Sequence, residues 1–143
     1  MYIKQSELLM GTSMDFVKNF MDISQLIALE KGDFLFREKD QANYFYILLN
    51  GRVKLSIGET DMMVYDAKEN GEAFGWSSLI GSDVYSASAK CIEPTKLLKT
   101  DSIKLRDVLE KDPINGSIFF KQLAATLGSR LLESYKKISS STQ

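Results

Sequence analysis

Between residues 13 and 22 the apolar positions Met14, Val17, Phe20 and Met21 recur at helical spacing, with Thr12 or Ser13 placed to cap. That pattern predicts a short amphipathic helix. From Gln25 the period shortens. Leu26-Ile27-Ala28-Leu29 runs into the polar turn Glu30-Lys31-Gly32-Asp33, and Phe34-Leu35-Phe36 is stopped by Arg37-Glu38-Lys39-Asp40. The aromatic and β-branched run Tyr44 to Leu49 ends in Asn50-Gly51, a hairpin signal. Val53, Leu55 and Ile57 alternate with Arg52, Lys54 and Ser56, which predicts a strand with one buried and one wet face. Met62 to Ala67 is the next strand, Glu69-Asn70-Gly71-Glu72 the next turn, and strands follow over Tyr85 to Ile92 and Thr95 to Lys99. Short strands punctuated this often predict a mainly β roll or barrel.

The last third is helical. Asp101 or Ser102 caps a helix carrying Ile103, Leu105, Val108 and Leu109, and Pro113 opens another. The second helix bears a stripe of Phe119, Phe120, Leu123, Ala124, Leu127, Leu131 and Leu132, ahead of a polar tail, Ser139 to Gln143, expected to fray. Residues 1–143 are read as a single domain, with the roll over about 24–100 and the C-terminal helices over about 101–138.

Composition narrows the function. The 143 residues are 44% hydrophobic and 26% charged, with a formal charge of −1, which suits one folded domain. No basic surface is available to displace counterions from phosphates, so nucleic acid is not an expected partner. Neither a signal-peptide core in Met1–Glu7 nor a run of membrane-spanning length is visible, and Cys91 is the only cysteine. These features predict a cytoplasmic protein that does not bind membranes. Zero histidines exclude histidine-ligated metals and serine–histidine or cysteine–histidine catalytic pairs. The pairs Glu30 with Asp33 and Glu38 with Asp40 flank turns and read as turn formers. Cys91 reads as a small buried hydrophobe rather than a haem or redox ligand, and Lys90 as a solvated lysine.

A helix, hairpins with Gly32, Gly51 and Gly71, the Phe74-Gly75 turn, and two trailing helices together resemble the cyclic-nucleotide-binding domain family. That family includes the catabolite activator protein and the regulatory subunits of protein kinase A. The resemblance spans roughly Leu26 to Lys137 and implies a double-stranded β-helix, or jelly roll, with an N-terminal helix and two C-terminal helices. It implies a phosphate-binding cassette over Gly71 to Ala89, where a tight turn into a short helix presents backbone N–H groups to an anion. Gly75 would keep bulk away from that approach, and Ser77 and Ser78 would add hydroxyls or cap the helix.

Two positions depart from the family. Trp76 stands where the family has the glutamate that binds the ribose 2′-hydroxyl, and Tyr85 where it has the arginine that pairs the phosphate. Ser86 matches the small hydroxyl residue beside that arginine. Each charge-assisted bond is worth about 1.5–3 kcal/mol, so losing both predicts binding weaker by about two to four decades. Trp76 either stacks on a ligand or fills the vacated pocket. Tyr85 either donates to a phosphate or packs on the sheet with a wet hydroxyl. The resemblance also places Ser134 and Tyr135 at the purine-facing positions of the last helix, which in the catabolite activator family forms a parallel dimer.

The resulting expectation is a regulatory sensor, not an enzyme, that binds a cyclic nucleotide (cAMP or cGMP) or a related anion and signals through its C-terminal helix. Its candidate ligand residues are Phe74, Gly75, Trp76, Ser77, Ser78, Tyr85, Ser86 and Ser134, with no catalytic or metal residues and no cofactor. Because the sequence ends soon after that helix, a free-standing module is expected, acting by dimerisation or by docking onto a partner, with a homodimer through the C-terminal helix expected. The rival reading is a degenerate roll that binds nothing and serves as a dimerisation or scaffold module. A cupin-like enzyme on a similar roll ranks last, since cupins hold metals with histidines.

Overall fold

Strand and helix boundaries fall close to where hydrophobic periodicity places them. A computed structural model describes residues 6–141; the signal-peptide reading of Met1–Glu7 therefore rests mostly on residues outside those described. The order is α1 (Met14–Asp22), β1 (Ser24–Leu29), β2 (Phe34–Phe36), β3 (Tyr44–Asn50), β4 (Val53–Ile57), β5 (Met62–Ala67), β6 (Ala73–Phe74), β7 (Ser88–Cys91), β8 (Thr95–Asp101), α2 (Ser102–Lys111) and α3 (Pro113–Ser141). A 3-10 turn, Ser77–Ile80, lies between β6 and β7. Ser13 caps α1 by accepting from the Phe16 N–H, and the Asp101 carboxylate caps α2 by accepting from Ile103 and Lys104.

The strands form two antiparallel four-stranded sheets, β1-β8-β3-β6 and β2-β7-β4-β5. This is the jelly roll with flanking helices that the resemblance implied. Phe36, Tyr46, Leu48, Phe74, Tyr85 and Leu97 fill the space between the sheets. A second cluster joins the helices to the outer face of the first sheet, with Phe16, Phe20, Phe45, Leu105 and Phe119 all fully buried.

Several expectations change. Asn50-Gly51 makes a tight turn at Gly51 (φ 114°), but no hairpin, because β3 and β4 belong to opposite sheets. A Cβ at Gly51 would sit 2.5 Å from Thr95 Oγ1, so the corner needs glycine for space as well as φ. The alternation expected in β4 does not hold, since Ser56 is buried while Leu55 and Ile57 are only half-buried, and β5 carries a bulge at Val64, opposite Leu55 and Ser56. The strand expected from Tyr85 contracts to Ser88–Cys91, since Tyr85 bonds instead to the loop after β2. Of the tail expected to fray, Ser139–Ser141 continue α3, and Thr142 and Gln143 lie outside the described residues. On α3 only part of the stripe is covered: Phe119 and Leu123 are buried and Leu127 half-buried, while Phe120, Ala124, Leu131 and Leu132 are exposed. Among the described residues no helix is long and apolar enough to cross a membrane.

Candidate functional site

Where β6 ends, Phe74 is buried in the roll and the chain turns at Gly75 (φ 76°) into the 3-10 turn. A Cβ at Gly75 would meet the Tyr46 ring at 3.0 Å and the Tyr44 carbonyl at 3.3 Å. The roll's own interior therefore requires glycine here. Trp76 begins the turn without a side-chain cap, so the capping role expected of Ser77 and Ser78 is absent. Both serines are 7% exposed, and the Ser78 Oγ has no hydrogen-bond partner among the described residues. Ser77 faces the niche.

The niche itself lies between this turn and the segment that carries Tyr85, Ser86 and Ala87, with Phe36, Leu55 and Phe74 as its floor. Its cavity is about 60 Å³. That is room for about two waters, against roughly 300–1,000 Å³ for a small-molecule site. Seven of the eight expected ligand residues come to this part of the fold, and six of them (Phe74, Gly75, Trp76, Ser77, Tyr85 and Ser86) line the niche directly. Ser134 does not line it. It sits one turn beyond Arg130 on α3, and its hydroxyl donates back to the Arg130 carbonyl at 3.1 Å.

Tyr85 closes the niche. Its backbone is clamped by two bonds, Tyr85 N–H to the Asp40 carbonyl and Lys39 N–H to the Tyr85 carbonyl, each 2.9 Å. Its ring stacks on Phe36 at 3.7 Å, and the stack continues from Phe36 through Tyr46 to Phe74 at 5.8 and 5.6 Å. The hydroxyl donates to the Tyr44 carbonyl at 2.6 Å and accepts from the Tyr44 N–H at 3.1 Å. Only 3% of the residue is exposed, and burial raises its pKa. The ring packs within the roll as one reading had it, but the hydroxyl is bonded to Tyr44 rather than wet or turned to the niche. No cationic side chain lines the niche.

A fixed positive charge reaches the niche wall from α3. Arg130 lies with its guanidinium 4.6 Å over the Trp76 ring and 4.2 Å over the Tyr65 ring. One terminal nitrogen bonds Glu7 at 3.2 Å and lies 3.8 Å from Glu72. Glu72 also accepts from the Tyr65 hydroxyl and from the Lys68 and Glu69 N–H groups. Glu7 accepts from the Ala73 N–H at the start of β6, and its pKa is raised chiefly by burial. A chain of contacts thus runs from the niche wall at Trp76 to the C-terminal helix. Sequence reasoning did not single out Arg130 as a functional residue. Its signal was a lone cation set between Leu127 and Leu131 in an apolar stripe.

The remaining candidates fall as read. Lys90 is exposed, Cys91 is buried, and the Asp33 and Asp40 carboxylates bond the N–H groups of Glu30 and Arg37 to hold turns. Among the described residues no cluster of three or more His, Cys, Asp or Glu side chains is placed to hold a metal.

A family model described as the cyclic nucleotide-binding domain matches residues 26–112. Over 90 residues the chain is 29% identical to cGMP-dependent protein kinase 2 of Homo sapiens, covering 61% of this chain and 12% of the kinase. The chain spans about a quarter or less of the length of the curated relatives it matches. Among solved structures it is similar to a candidate cyclic nucleotide-binding protein from Geobacter metallireducens, at 25% identity and TM-score 0.80 over 90% of this chain and 95% of that one. It shares its fold with the catabolite activator protein of Thermus thermophilus, at 23% identity and TM-score 0.75 over 96% of this chain and 63% of that one.

Proposed function

The chain belongs to the cyclic nucleotide-binding domain family, and from that premise we propose that it is a regulatory module rather than an enzyme. Its niche admits a cyclic nucleotide or a related small anion only after Trp76 swings aside, and α3 reports the event. The observation that carries this reading is the Arg130 guanidinium stacked on Trp76 and ion-paired to Glu7 and Glu72. Displacing the indole breaks that stack, so occupancy of the niche is coupled to the position of the helix. This is a shift between two populations of one protein.

In the open form, main-chain N–H groups of the turn after Gly75 and the hydroxyls of Ser77 and Ser86 would face the ligand. Without an arginine at position 85 the anion gains no fixed counter-charge, so cyclic monophosphates bind weakly. A thermal-shift series with millimolar cAMP, cGMP and cyclic dinucleotides tests this. A ligand present at a hundred times its Kd adds about 2.7 kcal/mol to stability, and a rise in Tm for at least one is expected. No rise for any of them overturns the sensor reading.

A second reading has its own support. The cavity of about 60 Å³ and the Tyr85 hydroxyl committed to Tyr44 fit a roll whose rings have replaced the ligand. Such a module would act through the exposed Leu131, Leu132 and Tyr135 of α3 as a homodimer scaffold. Light scattering that finds a dimer indifferent to all of these nucleotides favours it. In either reading we place the module in the reducing cytoplasm, where the buried Cys91 stays free.

A further inference from the structure

We propose that the outer face of the β2-β7-β4-β5 sheet docks an acidic segment of a partner protein, with Arg37, Lys90 and Lys54 as its binding cations. The cross-strand register builds this face. Phe34 on β2 stands directly opposite Lys90 on β7, Lys90 opposite Lys54 on β4, and Lys54 opposite Asp66 on β5. Opposed residues share a face, and Lys90 is exposed while its neighbours Ala89 and Cys91 are buried, so this row points outward. The Arg37 guanidinium lies 3.8 Å over the Phe34 ring and the Lys90 ammonium 5.5 Å from it.

The charges on this row are unbalanced. Asp66 is the one carboxylate in it, and Arg52 holds it with two bonds of 2.9 and 2.5 Å. Among the described residues Arg37, Lys54 and Lys90 make no ion pair. Like charges set directly opposite each other on a strand pair cost stability. A fold with 19 acidic residues against 18 basic ones has ample means to balance such a pair, yet leaves Lys54 against Lys90. Destabilising arrangements of this kind are expected where function requires them.

The chemistry of the partner follows from the size and sign of the patch. Three cations fall within about two strand spacings, roughly 10 Å, which suits two or three carboxylates on a short segment. A polynucleotide would need a longer basic track, and the chain's formal charge of −1 supplies no wider field. The aromatic ring at the β2 end of the row already carries Arg37 over one face and so offers little stacking surface to a base.

The test uses the full chain and a fluorescein-labelled hexaglutamate peptide, read by anisotropy at about 50 and 300 mM salt. Binding is expected at the lower salt and should weaken at the higher. Lys90→Glu should weaken it about tenfold while raising Tm by about 1–4 °C, because a repulsive cross-strand pair becomes attractive. Lys90→Gln should fall between the two in affinity. Unchanged peptide affinity in Lys90→Glu overturns the proposal, whatever happens to Tm. So does tighter binding of an oligothymidylate or of phosphatidylserine vesicles that is lost in the same variant, since the patch would then serve another class of partner.

Discussion

Replacing Tyr85 with phenylalanine removes one oxygen atom and leaves the ring free to keep its 3.7 Å stack on Phe36. That oxygen donates to the Tyr44 carbonyl and accepts from the Tyr44 N–H. Each net hydrogen bond is worth about 1 kcal/mol, and a partly buried group stranded without a partner adds to the loss. The expected cost is about 2 kcal/mol, with little cavity term because the ring volume is retained. For a domain of this size that corresponds to a fall in Tm of about 4–8 °C. Urea denaturation followed by circular dichroism measures it directly, and the slope with denaturant should not change, since no surface is newly exposed. A loss below about 0.5 kcal/mol would refute the argument. It would mean that the phenol does not pin the closing segment to β3, and that something else holds the niche shut.

Other consequences are as specific. Tyr85→Arg should destabilise the chain, because a guanidinium cannot replace the stack and both Tyr44 bonds, yet should tighten cAMP binding at least tenfold by titration calorimetry. Gly51→Ala should cost more than about 2 kcal/mol in chemical denaturation, since alanine meets both a φ of 114° and a contact of 2.5 Å with Thr95. Arg52 holds Asp66 below its ordinary value of 3.8, so the pair stabilises the fold above that pH, and the contribution is lost as pH falls through the lowered folded value. Acid unfolding of Asp66→Asn should lack that component. Burial acts on Glu7 in the opposite sense: its raised pKa favours the folded state at acid pH, an advantage lost as pH rises through the folded value.

Much of the architecture was legible because it rests on local rules. Of the two candidates for each cap, Thr12 or Ser13 and Asp101 or Ser102, Ser13 and Asp101 take the place, and Pro113 opens α3. What escaped is what depends on pairing over distance. Asn50-Gly51 specifies a tight turn, but whether its strands pair with each other or cross to opposite sheets is decided by β8, which takes β3 as its neighbour. The bulge at Val64 of β5 is likewise invisible to a two-residue alternation. In the niche, sequence reasoning located the cassette but not the destination of its atoms. The Tyr85 hydroxyl finds Tyr44, 41 positions away, and Arg130 finds Glu7 across 123. Neither partnership leaves a mark in spacing.

Trp76 is the only tryptophan in the chain, so its fluorescence reports directly on the contact between niche and helix. Titrating the protein with cAMP and cGMP to millimolar concentration, in the parent and in Arg130→Met, puts the coupling to its most direct test. A saturable change in emission is predicted for the parent, as ligand moves the indole off the guanidinium. In Arg130→Met the starting emission should already resemble the ligand-bound form, with a tighter apparent Kd because the stack no longer opposes opening. Saturable binding with identical affinity and identical spectral change in both proteins would contradict the account, for Trp76 would then open without reference to α3.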